Sequence, residues 1–132
     1  FSELKGKLNW PISKGKVVRK FGESLNPSLK TLTVNYGIDI RAGGDMSVKC
    51  VAEGAVSAVE WLPGYGTVLI ISHSGNYRTV YGHLSEVFVK EGDKIKTGGV
   101  IATVGESLEG KILHFEVWSG RQNVNPEIWL RK

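Results

Sequence analysis

The chain has 132 residues, one Cys and 41% hydrophobic content, which fits one globular domain with its own core and leaves little room for a second. Its net charge of +4, 17 Lys and Arg against 13 Asp and Glu, is modest and dispersed; with no stacking platform or nucleic-acid motif beside it, a solvated basic surface is expected and a nucleic-acid partner is not. No apolar stretch approaches the ~18 residues of a membrane span, and the lone Cys50, inside the apolar run 48–51, excludes an internal disulfide and reads as a small core residue.

Seventeen glycines against four prolines, with many short Val/Ile runs, predict strands joined by tight turns and an all-β class. Residues 16–21 form a short apolar and basic strand ending at Gly22, and 23–33, polar and containing Pro27, read as a surface loop. In 36–42 the apolar Tyr36, Ile38 and Ile40 alternate with Gly37, Asp39 and Arg41, the period of a half-buried strand with Asp39 turned from the core. Residues 47–62 are a long β run interrupted at Glu53-Gly54, followed by the turn Pro63-Gly64-Tyr65-Gly66 and a strand over 67–72. Residues 77–84 alternate again, placing Tyr77, Thr79, Tyr81 and His83 on one face. Turn clusters at 91–93 and 97–99 flank 94–96, a strand covers 100–104, and 105–110 form a glycine-bearing loop. In the last strand, 112–119, Leu113, Phe115 and Val117 form the core face, while Ile112, His114, Glu116 and Trp118 form the other. No segment has a sustained helical period.

Asp39, His83 and His114 are polar residues on predicted strands, each at a position expected to face away from the core. Strand-mounted His and Asp suit a hydrolytic zinc site, because rigid elements hold donors at the metal's short bond lengths. A single strand histidine is more often an ordinary hydrogen-bonded residue, so the order and context of the three carry the weight.

From Trp10 to Leu130 the chain resembles the LytM/lysostaphin-type cell-wall peptidases, a resemblance that implies a two-layer antiparallel β-sandwich or open barrel. The family's His-x-x-x-Asp ligand run is matched by Asn35-Tyr36-Gly37-Ile38-Asp39, with Asn in place of the first ligand. Its Thr-x-Tyr-x-His strand is matched by Thr79-Val80-Tyr81-Gly82-His83, whose His assists the chemistry in active members. Its His-x-His-Phe-Glu run is matched by Ile112-Leu113-His114-Phe115-Glu116, in which the second His binds zinc and the first, catalytic one is Ile here. Trp10-Pro11, Phe21-Gly22, Gly64-Tyr65-Gly66, Glu91-Gly92-Asp93 and Val124-Asn125-Pro126 also look like the family.

A catalytic zinc typically has three protein ligands and a water, and Asp39 with His114 supplies two. Asn35 offers a neutral carboxamide oxygen, which zinc disfavours against imidazole, thiolate or carboxylate. Ile112 can neither donate to an oxyanion nor relay a proton, a loss of about 10²- to 10³-fold in turnover where such a donor is removed. The expectation is a non-enzyme with no cofactor, residual zinc binding being left open.

The run 60–66 and the ending 124–130 resemble the EnvC-type murein hydrolase activators. That resemblance implies a groove around Tyr36, Asp39, Tyr65, Tyr81, His83, His114 and Trp118 that binds and switches on a periplasmic N-acetylmuramoyl-L-alanine amidase for septal wall splitting. Retention of His83 and His114 leaves residual metal binding open, and two alternatives stand beside the activator: a zinc-dependent peptidoglycan endopeptidase with an unusual ligand set, and a module that binds peptidoglycan alone. An opening without an initiator Met predicts the C-terminal domain of a longer exported protein, its signal upstream. Oligomeric state is not fixed by the sequence.

Overall fold

The computed structural model describes residues 1–132 and is built almost entirely of strands. In chain order these are β1 (Gly15–Arg19), β2 (Gly22–Asn26), β3 (Thr31–Asn35), β4 (Ile38–Ala42), β5 (Ser47–Lys49), β6 (Gly54–Leu62) and β7 (Gly66–His73). Then follow β8 (Tyr77–Val87), β9 (Lys94–Ile95), β10 (Val100–Val104), β11 (Glu106–Ser107), β12 (Gly110–Ser119) and β13 (Gln122–Val124). A single helical turn, α1 (Pro126–Trp129), follows Asn125, whose side chain accepts the Glu127 N–H, with Pro126 at the first helical position; the Asn-Pro pair dictates its start. Four residues are too few to show a period in sequence. No helix is long and apolar enough to cross a membrane.

The main sheet runs β1-β4-β12-β8-β7-β6-β9, antiparallel throughout and not closed on itself. β10 leaves β8 through a bulged pairing, takes β5 as its other neighbour, and covers the opposite side of the core. The core is one cluster that joins Ile38, Ile40, Leu113, Phe115 and Val117 of the sheet to Val48, Cys50 and Ile101 of that cover. Cys50 is fully buried and unpaired, and burial pushes its thiol pKa up.

Two expectations are corrected by the backbone. Residues 23–33 belong to a hairpin, β2–β3, paired in register from Gly22↔Asn35 to Asn26↔Thr31. The Asn26 side chain accepts the N–H groups of Ser28 and Leu29 and Lys30 takes a left-handed φ of 54°, so Pro27 sits in the turn and interrupts no strand. The alternating Thr31-Leu32-Thr33-Val34 was the strand signal, masked by its polar surroundings. In the loop 105–110, β11 folds back on the start of β12.

The second correction concerns Tyr81, expected in the groove beside His83. It is fully buried, packs on Phe115 with ring centroids 5.4 Å apart, and holds Thr79 and the Val51 N–H through its hydroxyl. The cause is a bulge: between the pairs Leu69↔Tyr81 and Thr67↔Leu84, β8 spends one residue more than β7. His83 absorbs it with a left-handed φ of 62°, so Tyr81 and Leu84 face the core while His83 is re-aimed outward.

Gly37 fixes how the next strand approaches. A Cβ there would collide with the Phe115 carbonyl and meet Glu116 Cγ at 2.7 Å, so only glycine lets the chain entering β4 lie against β12. Gly37→Ala is expected to lower stability by about 2–3 kcal/mol, since the obstacle is backbone with nowhere to retreat; urea unfolding followed by tryptophan fluorescence measures it.

Candidate functional site

The site is one rung of the sheet. Arg19 of β1 is paired with Asp39 of β4, Asp39 with His114 of β12, and His114 with Gly82 of β8. Side chains at paired positions stand on the same face about 5 Å apart, so register alone brings Arg19, Asp39 and His114 into a row. Gly82 contributes no side chain, which leaves space over the row for Tyr65, whose ring lies 4.7 Å from that of His114.

Every carboxylate oxygen of Asp39 and Glu116 and both imidazole nitrogens of His114 are occupied. Arg19 Nε donates to Asp39 Oδ2 at 2.8 Å and Arg19 Nη1 to Glu109 Oε2 at 2.6 Å. Asp39 Oδ1 lies 2.8 Å from His114 Nδ1, His114 Nε2 lies 2.6 Å from Glu116 Oε2, and Trp118 Nε1 donates to Glu116 Oε1 at 2.7 Å. A carboxylate on each side of one imidazole requires both ring nitrogens to donate, so His114 is an imidazolium. Burial alone would lower its pKa, but the hydrogen bonds and charges of Asp39 and Glu116 prevail and raise it to about 9. Asp39 is held below the usual carboxylate range: burial raises it, and the bonds from His114 and Arg19 outweigh that. Two cations and two buried anions thus cancel within the row.

Asn35, at the end of β3, approaches from the side. Its Oδ1 accepts the Gly37 N–H and its Nδ2 donates to Asp39 Oδ2, both at 3.3 Å. This orientation is chemically forced, because an N–H needs the oxygen and a carboxylate needs the amide hydrogens. The carboxamide oxygen is therefore turned away from Asp39. His83 lies beyond, half-buried, its ring 6.3 Å from His114 and its backbone N–H donating to the Tyr65 carbonyl. Burial and the neighbouring His114 charge lower its pKa. Ile112 is buried against the same small polar hollow that Arg19 and His83 line. No group of three His, Cys, Asp or Glu side chains is placed to hold a metal ion.

Beside the row opens a groove of about 450 Å³. Leu62, Val68, Ile70 and Val80 give it an apolar floor, and Tyr36, Tyr65 and Trp118 form its walls; Arg78 and Asn123 stand at its margin. Of the residues expected to line it, Tyr36, Tyr65, His114 and Trp118 do so; Asp39 stands behind His114 through their hydrogen bond, His83 lines the neighbouring hollow with Arg19 and Ile112, and Tyr81 lies beneath the sheet. Arg19, Glu109, Arg78 and the apolar floor were not singled out from sequence. One signal was available for the floor: Val68-Leu69-Ile70-Ile71 is apolar at both parities, the mark of a strand covered on both faces.

The pH dependence of this row has a definite sign. His114, raised in the folded state from 6.5 to about 9, contributes stability that is fully present below pH ~6.5 and is lost as pH rises through about 9, on the order of a few kcal/mol shared with its carboxylates. Histidine-resolved NMR titration should find His114 near 9 and His83 below its ordinary value, and Glu116→Gln should move the His114 midpoint down.

The family pattern of peptidase family M23 matches residues 33–126, which takes in Asp39, His114 and the groove but not Arg19. Murein hydrolase activator EnvC of Escherichia coli is 34% identical over 128 residues, 96% of this chain and 29% of its own length. Murein hydrolase activator NlpD of the same organism is 35% identical over 119 residues, 89% of this chain and again 29% of its own. A zinc-containing peptidase from Vibrio cholerae superposes with a TM-score of 0.77 at 27% identity, over 93% of this chain and 40% of that one. The chain spans under a third of the length of the two activators. With the fold, the register row and the sequence match in agreement, the chain belongs to peptidase family M23.

Proposed function

We propose that this chain is a non-catalytic M23 domain that activates a cell-wall hydrolase, and more narrowly that its groove binds a periplasmic N-acetylmuramoyl-L-alanine amidase and switches it on for septal wall splitting. The observation that carries the reading is the donor set, in which Asn35 stands at the family's first-ligand position and leaves Asp39 and His114 as the two firm donors. In the structure His114 is held between two carboxylates, with which a metal would have to compete. Asn35 turns its oxygen to Gly37, and both Asp39 oxygens accept hydrogen bonds. This donor set does not fit a catalytic zinc, which wants three free ligands and a water. Ile112 adds an alkyl group where the family's first histidine of the pair would act. The names of the activators EnvC and NlpD are consistent with this direction.

The groove supplies what a partner needs. An apolar floor with aromatic walls can bury a partner's side chains, and Tyr and Trp are the residue types that most often dominate such contacts. Periplasmic action is part of the proposal, since murein is the relatives' named context. Peptidoglycan itself, the other possible occupant of such a groove, would bind without any effect on an amidase, and a peptidase would cut cross-links alone.

Incubating the chain with its cognate amidase and dye-labelled peptidoglycan is expected to increase dye release, while the chain by itself releases none and carries no stoichiometric zinc on metal analysis. Chelator-sensitive cleavage of cross-links by the chain alone would overturn the reading. Tyr36→Ala, a half-exposed wall residue, should reduce stimulation on the order of 10-fold with the urea midpoint unchanged.

A further inference from the structure

The β2–β3 hairpin is amphipathic, and nothing in the chain packs on its apolar face. Leu25 is directly opposite Leu32, and Glu23 opposite Val34, so alternation sets Leu25, Leu32 and Val34 on one face, with Glu23 beside Val34, and Ser24, Asn26, Thr31 and Thr33 on the other. The hairpin is hydrogen-bonded to no other strand. Leu25, Leu29, Leu32, Val34 and Tyr36 are all between 48% and 71% exposed. A two-stranded hairpin is marginal in water, and these leucines and valine add little to folding because they bury little. Single exposed apolar residues are ordinary, but a one-sided row of them marks an interaction surface.

Two features say what covers the row. The first is continuity: Tyr36, two residues past Val34 and just beyond β3, lines the groove, so the hairpin leads directly to the groove wall. The second is charge. Arg78 at the groove margin and Lys30 in the hairpin turn enter no ion pair in the structure, whose pairs are made by the N-terminal amine, Arg19, Lys111 and His114. Most of the chain's Lys and Arg are unpaired in the same way, but these two stand where the strip begins and ends, Lys30 in the turn and Arg78 on the groove, with Glu23 the carboxylate between them. A second copy of this chain would bring the same cations and a net charge of +4 against themselves.

We propose that this hairpin face is the second half of the docking surface, and that the surface takes one amphipathic, acidic segment of the partner protein. Its apolar side lies along Leu25, Leu32, Val34 and Tyr36 into the groove, and its carboxylates meet Lys30 and Arg78. The inference rests on the groove being the partner's docking site. The five residues of β3 add roughly 16 Å of track at about 3.3 Å per residue, so the segment extends about 11 residues beyond the groove where it is helical.

The test uses the 132-residue chain and the cognate amidase, with affinity measured by biolayer interferometry and stimulation by dye release. Leu25→Ser with Leu32→Ser, and separately Arg78→Glu, should each weaken binding about 10-fold or more, while circular dichroism and the urea midpoint stay at wild-type values because the substituted side chains are exposed. Lys30→Glu should weaken binding less at high salt than at low. If the leucine pair and Arg78→Glu bind as wild type while Tyr36→Ala does not, the hairpin inference falls and groove docking stands. If the wild-type chain neither binds nor stimulates the amidase, both fall. A concentration-dependent dimer, or co-sedimentation with phosphatidylglycerol vesicles, that the leucine pair abolishes while leaving amidase affinity intact would overturn the inference in favour of a second copy or a lipid surface.

Discussion

The cross-strand register of β1, β4, β12 and β8 is the constraint on which the site depends. Arg19, Asp39 and His114 are distant in sequence, and only their pairing on one rung makes them neighbours. A slip of one residue in any of these strands would send its member of the row to the core face, where a charged group has no partner. The register is held by the core on the other side. Ile38, Ile40, Leu113 and Phe115 pack there, and Gly37 permits the contact of backbones that starts β4 in phase. Core packing and polar geometry are thus two consequences of one alignment.

The row is stable because its charges close on themselves. Desolvating a carboxylate or an imidazolium costs several kcal/mol each, which is recovered only when geometry is good and no lone pair or proton is left over. Here the accounting is complete: His114 uses both protons, Asp39 both oxygens and Glu116 both oxygens, and no buried polar side-chain atom lacks a partner. Arg19 reaches the row from the more exposed side and is shared with Glu109, so its guanidinium is only partly desolvated. His73, which sequence reasoning passed over, shows the contrasting solution. It is buried between the Glu53 carbonyl and the Thr79 hydroxyl, with no carboxylate at either nitrogen, and burial lowers its pKa. Two buried histidines in one small protein are driven in opposite directions by what faces their nitrogens.

Most strands were legible because period-two alternation reports a half-buried sheet directly, as in Leu113, Phe115 and Val117 against His114, Glu116 and Trp118. The same alternation misassigned Tyr81. Parity counting assumes an unbroken pleat, and the bulge at His83 leaves no mark in residue type, since a left-handed His is uncommon but not forbidden. The hairpin was missed for a different reason: its strands bury nothing, so polar composition outvoted the pattern. The partners of His114 were half visible. Glu116 shares its face by being two residues on, but Asp39 meets it, and Arg19 meets Asp39, through pairings of long sequence separation that no local rule predicts.

The geometry of the row also bears on why the groove beside it keeps its shape. In a metal site of this kind, a divalent cation would draw strands β4 and β12 together through their ligands. Here the imidazolium proton and the Arg19 guanidinium supply the positive charge, and hydrogen bonds across β1, β4 and β12 do the cross-linking. The wall residue Tyr65 is placed from two sides: its carbonyl accepts from the bulged His83 N–H, and its ring packs on His114 of the row. Trp118 is likewise fixed by Glu116. The walls next to the apolar floor are thus held by hydrogen bonds and ring contacts of the row. On the function proposed here, binding strength comes from that floor and its aromatic walls, and the charged row serves to hold them in place.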